Sequence, residues 1–173
     1  MTSSVLAHLL VVVFPAGAIA AALYDATSFT IPNRLTIAIA AAFFPVALIL
    51  GLPITTIGAC AAVGVLALIV GIGMYAMNWC GGGDAKLLAG CALWLGVPAI
   101  LPFLFATSVI GGLLALGLVM ARKFMLGNLV AAGPAWLGRL LEPQEALPYG
   151  VAIALGALVA FPSSPILAAL GGH

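Results

Sequence analysis

Residues 54–79 read ITTIGACAAVGVLALIVGIGMYAMNW, a run without a single charged side chain. A helix needs about 20 predominantly apolar residues to cross the hydrocarbon of a bilayer, and this run is longer than that. It is apolar on every face, so the alternation of a membrane β-barrel is missing. Working outward from it, further apolar runs cover residues 4–24, 35–50, 87–96, 99–121 and 148–170. Gly51-Leu-Pro53 and Val97-Pro98 are turns between runs, Pro15 is a candidate kink, and Pro162 and Pro165 are positioned to end the last helix early. The pattern predicts an all-α fold, a polytopic membrane bundle of about six transmembrane helices, with residues 1–173 forming a single integral-membrane domain.

Composition agrees. The chain is 65% hydrophobic and 5% charged, whereas a soluble domain carries roughly a quarter charged residues. Five basic residues are too few to hold nucleic acid by counterion release. Met1 to Ser4 contains no Lys or Arg, so the first run reads as a retained anchor rather than a cleaved signal. Cys60, Cys80 and Cys91 form no CxxC pair, and His8 and His173 have no partner at ligand spacing. The cysteines read as small hydrophobes, and neither a metal nor another cofactor is expected.

Six crossings put Arg34, Lys86, Arg122, Lys123 and Arg139 on one side of the membrane, leaving the turns at 51–53 and 96–98 without Lys or Arg. The positive-inside rule makes the basic side cytoplasmic and both termini external. The segment Phe124–Leu141, broken at Gly133-Pro134, is expected to lie along the interface.

The four acids also fall on the basic side. Glu142 and Glu145 sit in a polar connection and read as solvated carboxylates. Asp25 ends the first crossing, and Asp84 begins a fourth run so short that its start must be sunk toward the membrane interior. Taken singly, Asp25 is a helix-end residue in contact with water, and Asp84 is a first-turn acid that Lys86 could neutralise. Taken together, two aspartates at the same ends of different helices can meet across a bundle. Close carboxylates share a proton, so one can take a proton from water while the other donates to a peptide carbonyl. Gly81-Gly82-Gly83 permits close approach of another backbone beside them, or else forms a flexible turn; a phosphate loop lacks its required pattern here.

Gly81-Gly82-Gly83-Asp84 resembles the Gly-x-Gly-Asp signature of intramembrane aspartic peptidases, and Gly-Gly-Gly-Asp84-Ala-Lys86-Leu resembles the type IV prepilin peptidases in particular. Asp25 ahead of Ile31-Pro32-Asn33 is similar to that family's first-aspartate motif, and Pro148-Tyr149-Gly150-Val-Ala-Ile-Ala to its last-helix motif. The resemblance spans residues 25 to about 160. It implies an aspartic endopeptidase with Asp25 and Asp84 catalytic, and Gly81, Gly82, Gly83, Lys86, Pro32 and Asn33 shaping the site or binding substrate. The implied partners are prepilin or pseudopilin substrates and the lipid bilayer, at the cytoplasmic face of the bacterial inner membrane. Long family members insert a cytoplasmic domain after the first helix, often with zinc-binding cysteines, and methylate the new N-terminus. Here the connection from Asp25 to Arg34 is short and free of cysteine. The resemblance is therefore to the short, peptidase-only form associated with Flp/Tad-type pili, with no methyl donor.

Three other readings compete. Tyr24-Asp25 is also similar to the first motif of presenilin and signal-peptide-peptidase relatives, but their C-terminal Pro-Ala-Leu is missing. A small proton-coupled carrier would use the two aspartates as proton sites. A structural membrane subunit would need neither.

Overall fold

The computed structural model describes residues 9–123 and 147–171. Helix α1 (Val13–Ser28) is followed by α2 (Asn33–Ile49), α3 (Ile54–Ala76) and α4 (Gly82–Lys123). After the connection come α5 (Tyr149–Ala160), a 3-10 turn (Phe161–Ser163) and α6 (Pro165–Leu170). The described residues contain no strand. The interfacial segment expected over Phe124–Leu141, together with Arg139, Glu142 and Glu145, lies outside the described residues.

The bundle turns apolar side chains outward as well as inward. Leu101, Phe105 and Ile54 are about three-quarters exposed, a surface that water does not tolerate and lipid does. Among the described residues four helices qualify as membrane spans by length and composition: Leu9–Ser28, Ile54–Ala76, Gly82–Lys123 and Tyr149–Leu170. The count differs from six for two physical reasons. Helix α2 has only 17 residues. The fourth and fifth apolar runs form one continuous 42-residue helix, broken only at Gly96, where φ is 59° and ψ −168°.

Gly96 decides the architecture. A left-handed φ is open to glycine and costly for a residue with Cβ, and a Cβ here would stand 2.6 Å from Cys60 Sγ. Were α4 straight, Asp84 and Thr107 would lie about 34 Å apart at 1.5 Å per residue. Instead Asp84, Leu104, Thr107 and Ser108 line one cavity, so the chain folds back at Gly96. The arm from Gly82 to Leu95 is about 21 Å long and the returning arm about 40 Å.

Small residues let these helices approach closely. Helix α3 meets α4 where Gly64 faces Leu93 and Gly71 faces Ala85; α4 meets α5 where Gly156 faces Thr107 and Gly111 faces the Tyr149 ring. The deepest core is aromatic. Phe14 stacks on Trp94 with centroids 5.1 Å apart, Phe43 meets the same indole edge-on at 5.8 Å, and Phe161 closes on Phe14 at 4.9 Å. The buried Trp94 Nε1–H donates to the Ile39 carbonyl at 2.8 Å, so α1, α2, α4 and the 3-10 turn are tied together.

Leu52, Pro53, Val97, Pro98 and Pro165 surround a cavity of about 590 Å³ at one end of the bundle. The turn after α2, the fold-back at Gly96 and the start of α6 thus share that end. Asp25, Gly81 and Asp84 lie together elsewhere, at the opposite ends of α1 and of the first α4 arm. Reporter fusions at Pro53 and Val97 are expected to read on one and the same side of the membrane, the external one. A cytoplasmic signal at either position contradicts the topology.

Candidate active site

Asp25 lies on the last turn of α1, which runs four residues further than the apolar run ending at Tyr24. Hydroxyls extend it: Thr27 Oγ1 donates to the Leu23 carbonyl and Ser28 Oγ to the Tyr24 carbonyl, both at 2.6 Å, satisfying backbone acceptors near the helix end. Phe29 then turns the chain in the left-handed region and donates its N–H to the Asp25 carbonyl at 2.9 Å.

Asp84 lies on the first turn of α4, which starts at Gly82 rather than at Leu87. Gly81 sits at the cap. Its N–H donates to Asp84 Oδ2 at 3.3 Å and its carbonyl accepts from the Ala85 N–H at 3.1 Å. An acid three residues past the cap that reaches back to the cap N–H is one half of a capping box. The polar residues that resemble a loop in the sequence are therefore the opening turn of a helix.

The two aspartates, from different helices, line one pocket of about 210 Å³ together with Phe29, Thr30, Ile31 and Gly81, Gly82 and Gly83. They are close enough to interact electrostatically. Asp25 is only 5% exposed, and its Oδ2 is buried without a hydrogen bond of normal geometry. The N–H groups of Gly150 and Val151, at the start of α5, are directed at its carboxylate. A buried carboxylate oxygen without a firm partner is costly and is rarely kept without a use.

Glycine permits the approach on both sides. A Cβ on Gly83 would lie 3.2 Å from Ile31 Cβ, and one on Gly150 only 2.8 Å from Asp25 Oδ2 and 2.7 Å from Ile31 Cδ1. Ile31 is thus the buried spacer that both glycines press upon. Sequence reasoning singled out Gly83 but neither Ile31 nor Gly150 as a site residue. The signals for Gly150 in the sequence are its place in the Pro148-Tyr149-Gly150 motif and its position in the first turn of an apolar helix.

Lys86, Asn33 and Pro32 go elsewhere. Lys86 Nζ donates to Asn33 Oδ1 at 2.8 Å, and both line a neighbouring cavity of about 670 Å³ that touches the aspartate pocket through Gly82. Lys86 therefore pairs with the start of α2 rather than with Asp84, because residues two apart on a helix do not face one another. Pro32 occupies the cap of α2, where its carbonyl accepts from the Leu35 N–H at 3.0 Å. This places the loop carrying Ile31 against the glycines.

Cys60, Cys80 and Cys91 are free thiols, the first and last buried. Cys80, just before the glycines, has its thiol pushed above the ordinary value by burial and then by the negative charge of Asp84. Less thiolate means slower alkylation. At about pH 8 Cys80 is expected to react with maleimide more slowly than a free thiol, and Asp84→Asn to quicken it by removing the charge. Unchanged kinetics in that variant, followed by mass spectrometry of the Cys80 peptide, would mean that the two groups do not interact.

The sequence model of the type IV leader peptidase family matches residues 12–116, a span that contains both aspartates. No curated protein and no solved structure matches the chain.

Proposed function

The chain belongs to the type IV leader peptidase family, and on that premise we propose that this multi-pass membrane peptidase is an aspartic endopeptidase removing the short basic leader of Flp/Tad-type prepilins. Its whole length is one integral-membrane peptidase domain in the bacterial inner membrane, with the aspartate end toward the cytoplasm. The observation that carries the reading is the shared pocket of Asp25 and Asp84, contributed by separate helices.

The chemistry follows from two carboxyl groups holding one proton between them. The ionised carboxylate takes a proton from water as the water oxygen attacks the scissile carbonyl carbon. The protonated carboxyl gives its proton to the carbonyl oxygen, and a gem-diol forms. One gem-diol hydroxyl then loses its proton as the carbonyl re-forms, the amide nitrogen gains one, and the C–N bond breaks. The pair returns to its singly protonated state. Neither zinc nor a methyl donor takes part.

The depth of the site suits such a substrate. With Gly96 at one membrane boundary, the 21 Å arm leaves Asp84 roughly 10 Å short of the other side of a 30 Å hydrocarbon layer. Helical backbone in a membrane is already hydrogen-bonded, so a cleavable bond must first be freed. A bond at the top of an apolar helix needs little unwinding to reach that depth.

Co-expression with a Flp-type prepilin, followed by the intact mass of the pilin, tests the proposal. The expected result is loss of the leader alone, without the added mass of a methyl group. A pilin that keeps its leader contradicts the assignment.

A further inference from the structure

Consecutive helices joined by a short turn usually pack on one another, and α2 and α3 do not. Leu50 to Pro53 tie them at one end of the bundle, yet each packs on α4 and they scarcely touch each other. Between them runs a furrow in two parts, floored by the short arm of α4. The inner part, about 270 Å³, lies among Ala40 and Phe44 of α2, Ala61 and Val65 of α3, and Ala89 and Leu93 of α4. The outer part is the cavity of about 670 Å³ at Asn33 and Lys86. Ile37, Leu68 and Lys86 line both, so the two are continuous. No reaction step proposed above uses this space. Its inner walls are alkyl and ring, and a space so lined stays dry.

The furrow has the depth of one leaflet. Asn33 to Phe44 spans about 16 Å at 1.5 Å per residue, close to half of a roughly 30 Å hydrocarbon layer. Beyond Phe44 the turn at Leu50 to Pro53 joins its two walls, so a helix crossing the whole membrane finds no continuous groove. An acyl chain entering from the Lys86 end does. That end is also positive. Lys86 Nζ donates to Asn33 Oδ1 at 2.8 Å, a neutral partner that leaves its charge uncancelled. Arg34 follows Asn33, and α2 opens without an acidic residue in its first turn. Among the described residues no carboxylate lines either part of the furrow. A phosphate is the headgroup that such an end attracts. We infer that the furrow is a binding site for an anionic phospholipid, with its phosphate at Lys86 and one acyl chain laid between α2 and α3. The lipid supplies the packing that the two helices withhold from each other. The inference rests on the membrane placement of the bundle and does not depend on the peptidase reading.

The test takes the full-length protein from vesicles of equal parts phosphatidylglycerol and phosphatidylcholine with matched chains, and identifies the retained lipid by native mass spectrometry. Wild type is expected to hold phosphatidylglycerol about fivefold or more over phosphatidylcholine, the scale of one basic residue at a lipid surface. Lys86→Gln is expected to lower that preference about fivefold, and Lys86→Arg to keep it. Lys86 is exposed, so neither change threatens the fold. Ala61→Phe fills the inner furrow while leaving the charge, and is expected to lose the retained lipid. Lys123→Gln, at the far end of α4, is expected to behave as wild type. An unchanged preference in Lys86→Gln, or wild-type retention by Ala61→Phe, overturns the inference. An equal fall in Lys123→Gln does so too, because the attraction then belongs to net charge and not to a site. Displacement of the lipid by an added full-length pilin precursor would give the furrow to a substrate helix, and a lipid-free dimer would give it to a second copy; either result overturns the inference.

Discussion

Asp25→Asn and Asp84→Asn are each expected to lower leader cleavage by about 10³-fold or more, with both variants still inserted in the membrane. Asparagine keeps the size and polarity of aspartate but cannot exchange the proton that the reaction passes between water, carbonyl and amide. The two carboxyls act as one device, so the double variant is expected to be scarcely worse than either single one. The same logic gives the wild type a bell-shaped dependence of kcat/KM on pH, because only the singly protonated pair is competent. Glu142→Gln and Glu145→Gln are expected to retain most activity. Densitometry of precursor and mature pilin in matched membranes measures all of these. A single aspartate variant that inserts normally and still processes the precursor at wild-type rate would end the mechanism.

Gly150→Ala is expected to come next in severity, with kcat reduced about 10²-fold, although no atom of Gly150's own side chain exists to take part in the chemistry. The added methyl would stand 2.8 Å from Asp25 Oδ2 and 2.9 Å from its Cγ, closer than such atoms can rest. The methyl would also meet Ile31 Cδ1 at 2.7 Å, so that side chain must move as well. Either the carboxylate rotates or α5 withdraws from α1, and a displacement near 1 Å in a reacting group is enough for a loss of that order. Gly83→Val acts on the opposite face of Ile31, where the first contact is a looser 3.2 Å, so its loss of cleavage is expected to be smaller. A structural role alone would lower protein yield and leave kcat per folded molecule unchanged. Active-site titration of purified Gly150→Ala separates the two, and full kcat would show that Asp25 does not depend on this contact.

What the sequence made legible was local. Apolar runs announce membrane helices because the bilayer imposes length and polarity on each run separately. The two aspartates stood out because a chain with four acids in 173 residues leaves few to choose from. The resemblance carried by Gly81 to Asp84 and by Asp25 to Asn33 added the chemistry. What escaped was either a capping interaction or a contact across the bundle. Asp84 reads as a first-turn acid but the glycines ahead of it read as loop, and only the Gly81 N–H bonded to Asp84 Oδ2 shows that α4 opens at Gly82. The turn expected at Val97-Pro98 is present, but it is made by one residue, Gly96, whose positive φ reverses the chain while the helix resumes directly after it. The partnership of Lys86 with Asn33, 53 residues away, and the pressure of Gly150 on Asp25 depend on which helices become neighbours, and no spacing in the chain encodes that.

The short arm of α4 carries a further consequence, in the thickness of the lipid around it. That arm is about 21 Å long and α2 about 26 Å, both under the roughly 30 Å of an average hydrocarbon layer. Where α2 faces lipid, the acyl chains must shorten or tilt to meet it, at a cost of fractions of a kcal/mol per ångström of mismatch. The bilayer is thereby expected to dimple beside the start of α2, next to the aspartate pocket. Thicker membranes resist the dimple and thinner ones welcome it. Acyl-chain length accordingly becomes a control on this peptidase that no residue of its active site sets.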